Sequence, residues 1–172
     1  MRFLVFIAPN NFRDETVSML KMFFDKWGIR YQLTSYSTKD CIGNHGAVYK
    51  PDINTNKARV SDYDGIVIAD GPGLDEYKIY EYRPFLDMLL QFNQSGKIVG
   101  AINNAIRIAA RANIITNKKV ATPKDPESLR QVQLFHGVPT DKDIEIANNL
   151  ITISSDNLEQ PMQELLQQLG AI

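Results

Sequence analysis

The feature that most constrains this chain is a set of short apolar runs that do not alternate. Phe3-Leu4-Val5-Phe6-Ile7, Ile66-Val67-Ile68 and Ile98-Val99-Gly100-Ala101-Ile102 carry almost no polar residue. A strand with one wet face alternates apolar and polar residues, so an unbroken run of this length reads as a strand covered on both faces, as in a parallel sheet. Helical spacing fills the gaps. Val17, Leu20, Phe23 and Phe24 recur on one face after Asp14, which is placed to cap a helix, and Gly28 is placed to end it. Residues 83–92 repeat the pattern with Phe85, Leu86, Leu89 and Leu90 before Gly96, and further helices are expected over 104–112, 126–133 and 158–169. Residues 29–36 alternate and give a second strand, 119–121 a short one, and 144–154 two more. Residues 38–56, polar with Gly43, Gly46 and Pro51, read as a loop with a short hairpin. Strands alternating with helices require a mostly parallel sheet with helices on both faces, an α/β three-layer sandwich, expected to be one domain over 1–172.

Composition narrows the function classes. With 172 residues, 44% hydrophobic, 23% charged and a net charge of −1, the chain reads as an ordinary globular domain with no electrostatic footprint for nucleic acid. No segment reaches the ~20 apolar residues of a membrane span, and Arg2 to Ala8 lacks the layout of a signal peptide. A cytoplasmic location is the expectation. The single cysteine, Cys41, excludes an internal disulfide or a cysteine metal cluster and reads as a structural thiol. His45 and His136 lie far apart beside glycines, in expected surface turns, so neither a metal nor a cofactor is expected.

In a sheet of this kind ligands bind outside the carboxyl ends of the strands. Three turns fall there: 9–14, 69–73 and 103–105. The last is a tight strand-to-helix elbow, Gly100-Ala101-Ile102-Asn103-Asn104-Ala105. Such a turn forces its apex toward positive φ, and asparagine is the non-glycine residue best suited to that.

The segment Gly96-Lys97-Ile98-Val99-Gly100-Ala101-Ile102-Asn103 resembles the ThiJ/DJ-1/PfpI family, of the class I glutamine-amidotransferase-like superfamily, in which such a strand leads to a cysteine nucleophile. Asp62-Tyr63-Asp64-Gly65-Ile66-Val67-Ile68-Ala69-Asp70-Gly71 is similar to the family's next strand and turn, and 43–46, 117–122 and 150–152 resemble further segments of it. The resemblance implies a flavodoxin-like sandwich, a dimer or larger homo-oligomer, and the activities of a peptidase, amidase, deglycase or glyoxalase-like enzyme.

The departures bear on chemistry. Asn103 stands where the resemblance implies the nucleophile, and Arg13 and Thr16 stand where it implies two glutamates. Asp70 replaces a glycine, and Asn113 and Asn117 fall on glycines, a mild change because asparagine tolerates the left-handed region. A thiolate nucleophile needs both the sulfur and a perturbed pKa. The expectation is therefore a non-catalytic, small-ligand-binding or interaction protein. The alternative is a hydrolase that works through Asp70 or Glu15 with bound water. Glu15 points either into the cleft or along the first turn of its helix, where acids favour the dipole. The candidate ligand set is Arg13, Asp70, Gly71, Asn103 and Asn104: the Gly71 and Asn104 N–H groups as an oxyanion-type pocket, Arg13 as a positive charge suiting a small anionic ligand. Tyr77, Tyr80 and Tyr82, three tyrosines in six residues, suggest an oligomer surface.

Overall fold

Strand β1 (Arg2–Phe6) lies inside the main sheet, and its side chains divide between two cores. Leu4 and Phe6 enter one, Phe3 and Val5 the other, all at most 1% exposed. Both faces being covered is what the non-alternating run required. The computed structural model describes residues 1–170. After β1 come β2 (Asn10–Phe12), α1 (Asp14–Lys26), β3 (Arg30–Ser35), β4 (Cys41–Gly43), β5 (Val48–Tyr49), β6 (Ile53–Asn54), β7 (Gly65–Ile68) and α2 (Gly73–Glu76). The chain continues through α3 (Arg83–Gln94), β8 (Ile98–Ile102), α4 (Ile106–Arg111), β9 (Lys119–Ala121) and α5 (Pro126–Leu134). It closes with β10 (Val138–Thr140), β11 (Ile144–Ala147), β12 (Leu150–Ile153) and α6 (Glu159–Gln168).

The main sheet has the order β11-β12-β8-β7-β1-β3-β6, parallel throughout except for the β11–β12 pair. Helices α1 and α6 cover one face through Val17, Leu20, Phe24, Met162, Leu165 and Leu166. Helices α3, α4 and α5 cover the other through Phe85, Leu89, Ile106, Ile108 and Val132. The fold is a flavodoxin-like α/β sandwich, as the sequence predicts. No helix among the described residues is long and apolar enough to cross a membrane.

Three details depart from the sequence reading. The loop expected over 38–56 contains its hairpin, β4–β5, but also β6, which joins the edge of the main sheet beside β3. Asp14 does not cap α1. Arg13 holds that position without a side-chain capping bond, and the Asp14 carboxylate instead accepts from the His45 and Ala47 N–H groups, each at 3.1 Å. It thereby clasps the β4–β5 turn to the helix start, and Gly43 has no room for a Cβ, which would lie 1.6 Å from Asp14 Oδ1. The tyrosines have partners within the chain. Tyr82 stands edge-on to Tyr36 at 4.5 Å, Tyr77 accepts from Asn10, and Tyr80 lies beneath Arg111. Burial, with Tyr82 next to it, pushes the Tyr36 hydroxyl up to about 12. Each of the three tyrosines thus has a partner within the chain, while Tyr77 keeps 36% of its surface exposed.

Candidate functional site

Strand register builds the site. Ile68 of β7 lies opposite Ala101 of β8, and Ile102 lies opposite Ile153 of β12. The residues just past these strand ends, Asp70, Asn103 and Ser155, therefore meet at the carboxyl edge of the sheet. A fourth segment, the start of α1, is tied to them by the Arg13 N–H, which donates to the Asp70 carbonyl at 2.9 Å.

Asn103 sits at φ 50, the left-handed conformation expected of the elbow apex, followed by one turn of 3-10 helix and then α4. Asn113 and Asn117 also have positive φ, 61 and 60, as their substitution for glycine implied. The Asn103 amide is fully engaged. Its Nδ2 donates to Asp70 Oδ2 at 2.7 Å and to the Ser155 carbonyl at 3.1 Å, and its Oδ1 accepts from the Ser155 N–H at 2.8 Å.

Asp70 is 4% exposed. Thr16 donates to its Oδ1 at 2.5 Å, while Asn103 and, at 3.5 Å, Arg13 Nη1 share its Oδ2. A buried carboxylate is tolerable when charged and polar donors surround it in this way. Thr16, whose place in the sequence reads only as a missing acid, is thus a working donor to the acid at position 70. Arg13 is similarly committed: Nε donates to Glu15 at 2.9 Å and Nη2 to the Asp156 carbonyl at 2.6 Å. Burial alone would lower the Arg13 pKa, but Glu15 and Asp70 outweigh it and the net shift is upward. Glu15 stands in the first turn of α1, exposed, yet it also borders the cleft. The hydrogen bond from Arg13 holds its carboxyl below the usual range, and a carboxylate so stabilised is a weak general base.

The expected oxyanion pocket is not free. The Gly71 N–H donates to Asn104 Oδ1 at 3.1 Å, and Asn104 Nδ2 returns a bond to the Gly71 carbonyl at 2.8 Å. The Asn104 side chain thus occupies the Gly71 N–H, one of the two donors on which that pocket was to rest. Gly71 itself is obligatory: at φ 138, an added Cβ would lie 2.5 Å from the Asn11 carbonyl oxygen.

Around this centre lies an open cleft of about 860 Å³. It gathers all five candidate ligand residues together with Glu15 and His45. His45 Nδ1 lies 3.4 Å from Glu15 Oε1, so this histidine is a site residue although its sequence context suggested an ordinary surface turn. Negative charge outnumbers positive around the cleft. Seven carboxylates line it (Glu15, Asp70, Asp75, Asp125, Asp141, Asp143 and Asp156), against Arg13 and Lys124. Arg107 of α4, just behind the wall, bridges Asp75 of α2 at 2.8 Å and Asp125, the N-cap of α5, at 2.7 Å. Sequence reasoning missed this bridge, although Asp125-Pro126 is a legible helix start. Cys41 lies elsewhere, 2% exposed in the core beneath α1, with its thiol pKa raised by burial. Among the described residues no group of histidine, cysteine, aspartate or glutamate could hold a metal ion.

A parallel α/β sandwich whose buried strand β8 turns directly into a helix, under a cleft at the sheet's carboxyl edge, defines the class of elbow-site α/β proteins. The chain belongs to the DJ-1/PfpI family, whose sequence model matches residues 1–168. An uncharacterised protein of Methanocaldococcus jannaschii is 27% identical over 152 residues, spanning 88% of this chain and 74% of that one. Among solved structures, a ThiJ/PfpI domain protein from Brachyspira murdochii superposes with a TM-score of 0.91 at 17% identity, covering 99% of this chain and 97% of its own. The putative protease I of Bacteroides thetaiotaomicron gives 0.84 at 22% identity, with 98% of each chain covered. At these identities the structures establish the fold.

Proposed function

We propose that this chain is a ligand-binding member of the DJ-1/PfpI family whose elbow has given up the cysteine nucleophile. The observation that carries the reading is the bonding of Asn103. An amide that donates to Asp70 and Ser155 and accepts from Ser155 acts as a strut between strand ends, with neither sulfur nor free hydroxyl to attack a substrate. The alternative, water activated by Asp70 or Glu15, is less favoured. Both Asp70 oxygens are already bonded, and Glu15 is a weakened base. Loss of a nucleophile from such a site leaves only the residual acceleration of binding and polar contacts, orders of magnitude below the intact enzyme.

The test is turnover of methylglyoxal and of peptide substrates by wild type beside Asn103→Cys, alone and combined with Arg13→Glu or Thr16→Glu. Wild-type rates comparable to those of family enzymes would overturn the proposal. Activity confined to the cysteine variants supports it. The cytoplasm is the compartment we propose, on the composition and the lone buried thiol. Self-association also remains part of the proposal, now through a different surface. Ile42 and Val48, paired across β4–β5, are 46% and 57% exposed and form an apolar patch on the hairpin.

A further inference from the structure

The cleft opens sideways onto a second depression of about 590 Å³ between α5 and β10, lined by Leu129, Pro123, Pro139 and Thr140. Thr122, Pro123, Lys124 and Asp141 border both, so cleft and shelf form one continuous surface, charged at one end and apolar at the other. Leu129 is 38% exposed there, on the side of α5 away from the core. At the charged end the internal ion pairs consume Arg13 and Arg107, and Asp141, Asp143 and Asp156 form no ion pair among the described residues. Among the described residues that line the cleft, Lys124 is the cation that forms no ion pair. The shelf offers a side chain or ring somewhere to lie, but not a main chain. Its strand, β10, is paired on one side only, by β9, and carries Pro139 at its centre, which has no N–H to donate to an added strand. A polypeptide therefore finds no ladder to join.

Resting on the reading of this cleft as a binding site, we propose that its ligand is a small organic cation with an apolar body, an aryl- or alkylamine. The ammonium sits among Asp141, Asp143 and Asp156, and the apolar body lies against Leu129, Pro123 and Pro139. Charge complementarity selects the head, because an anion there would meet three open carboxylates. Hydrophobic burial selects the tail.

The experiment is calorimetric titration of the full chain with phenethylamine and hexylamine, beside ethanolamine, 3-phenylpropionate and a neutral sugar. Binding of the two apolar amines is expected, weaker by about two- to five-fold for each of Asp143→Asn and Asp156→Asn, as for an exposed charge pair. Leu129→Asn is expected to weaken phenethylamine several-fold, at about four-fold per methylene uncovered, and its unchanged thermal midpoint separates lost contact from lost folding. Lys124→Gln is the decisive variant: it is expected to tighten amine binding about two- to five-fold by removing a like charge. Preference for 3-phenylpropionate, or weaker amine binding in Lys124→Gln, overturns the cationic ligand while leaving the binding reading intact. Binding of the sugar alone does the same. Failure of every probe to bind overturns both, whereas wild-type turnover of family substrates overturns only the non-catalytic reading.

Discussion

Asn103→Ala tests how much of the site rests on one amide. Three bonds disappear: one to the buried Asp70 carboxylate and two to the Ser155 backbone. A bond to a charged group contributes about 1.5–3 kcal/mol and a neutral one about 0.5–1.5 kcal/mol. The cleft is open, so water recovers part of this, and a net loss of about 3 kcal/mol is expected for the amide. Alanine keeps the Cβ that crowds the following carbonyl at φ 50, about 1–2 kcal/mol, but loses the amide with which asparagine offsets that crowding. Glycine at 103 loses the same amide without that strain. The order of stability should therefore be wild type, then Asn103→Gly, then Asn103→Ala, the last about 4 kcal/mol below the first. At about 2–4 °C per kcal/mol for a chain of this length, the alanine variant should melt roughly 8–16 °C lower. Urea unfolding with an unchanged m-value is the assay. An alanine variant within about 0.5 kcal/mol of wild type would refute the strut. A glycine variant less stable than alanine would refute the strained elbow.

Acid titration checks a surface pair: Arg130 and Gln131 hold Glu127 down to about 2, below its ordinary 4.5. A carboxyl depressed on folding stabilises above its unfolded value, so the melting-temperature gap between wild type and Glu127→Gln should be full above pH 4.5 and close as pH falls toward about 2. A gap that widens in acid contradicts the pairing. Gly71→Ala should cost several kcal/mol, on the order of 2–4, in urea unfolding, because the Cβ meets the backbone of β2 and the φ of 138 suits only glycine. Val48→Glu, with or without Ile42→Glu, should shift a self-associated species to monomer in sedimentation without lowering its melting temperature. An unchanged assembly would move the interface elsewhere.

Much of the fold was legible because burial leaves its mark on composition. The unbroken runs at 3–7, 66–68 and 98–102 could only be central strands, and asparagines at 103, 113 and 117 announced left-handed turns. Strands β2 and β6, three and two residues long, were not legible, because short polar segments become strands only through the neighbours they pair with. The site divides in the same way. Arg13, Asp70, Asn103 and Asn104 could be gathered from strand ends, but their bonding could not. That Thr16 donates to Asp70, that Asn104 closes over Gly71, and that Arg107 links Asp75 to Asp125 are facts of register and side-chain reach. The charge around Arg13 was hidden for a related reason: the carboxylates of Glu15 and Asp70, which pair with it, meet it only in three dimensions.

The strut at position 103 also limits which sequences can be reached from this one. A lone change to cysteine would install sulfur at the cost of the donor to Asp70 and of both bonds to Ser155. The new thiol would arrive beside the Asp70 carboxylate, still held by Thr16 and Arg13, and that negative charge disfavours its ionised form. The expected outcome is that a lone thiol at 103 lowers stability and that reactivity requires changes at 13 or 16 as well. Positions 13, 16, 70 and 103 form an epistatic set, and the asparagine, once fixed, is held by its neighbours as firmly as it holds them.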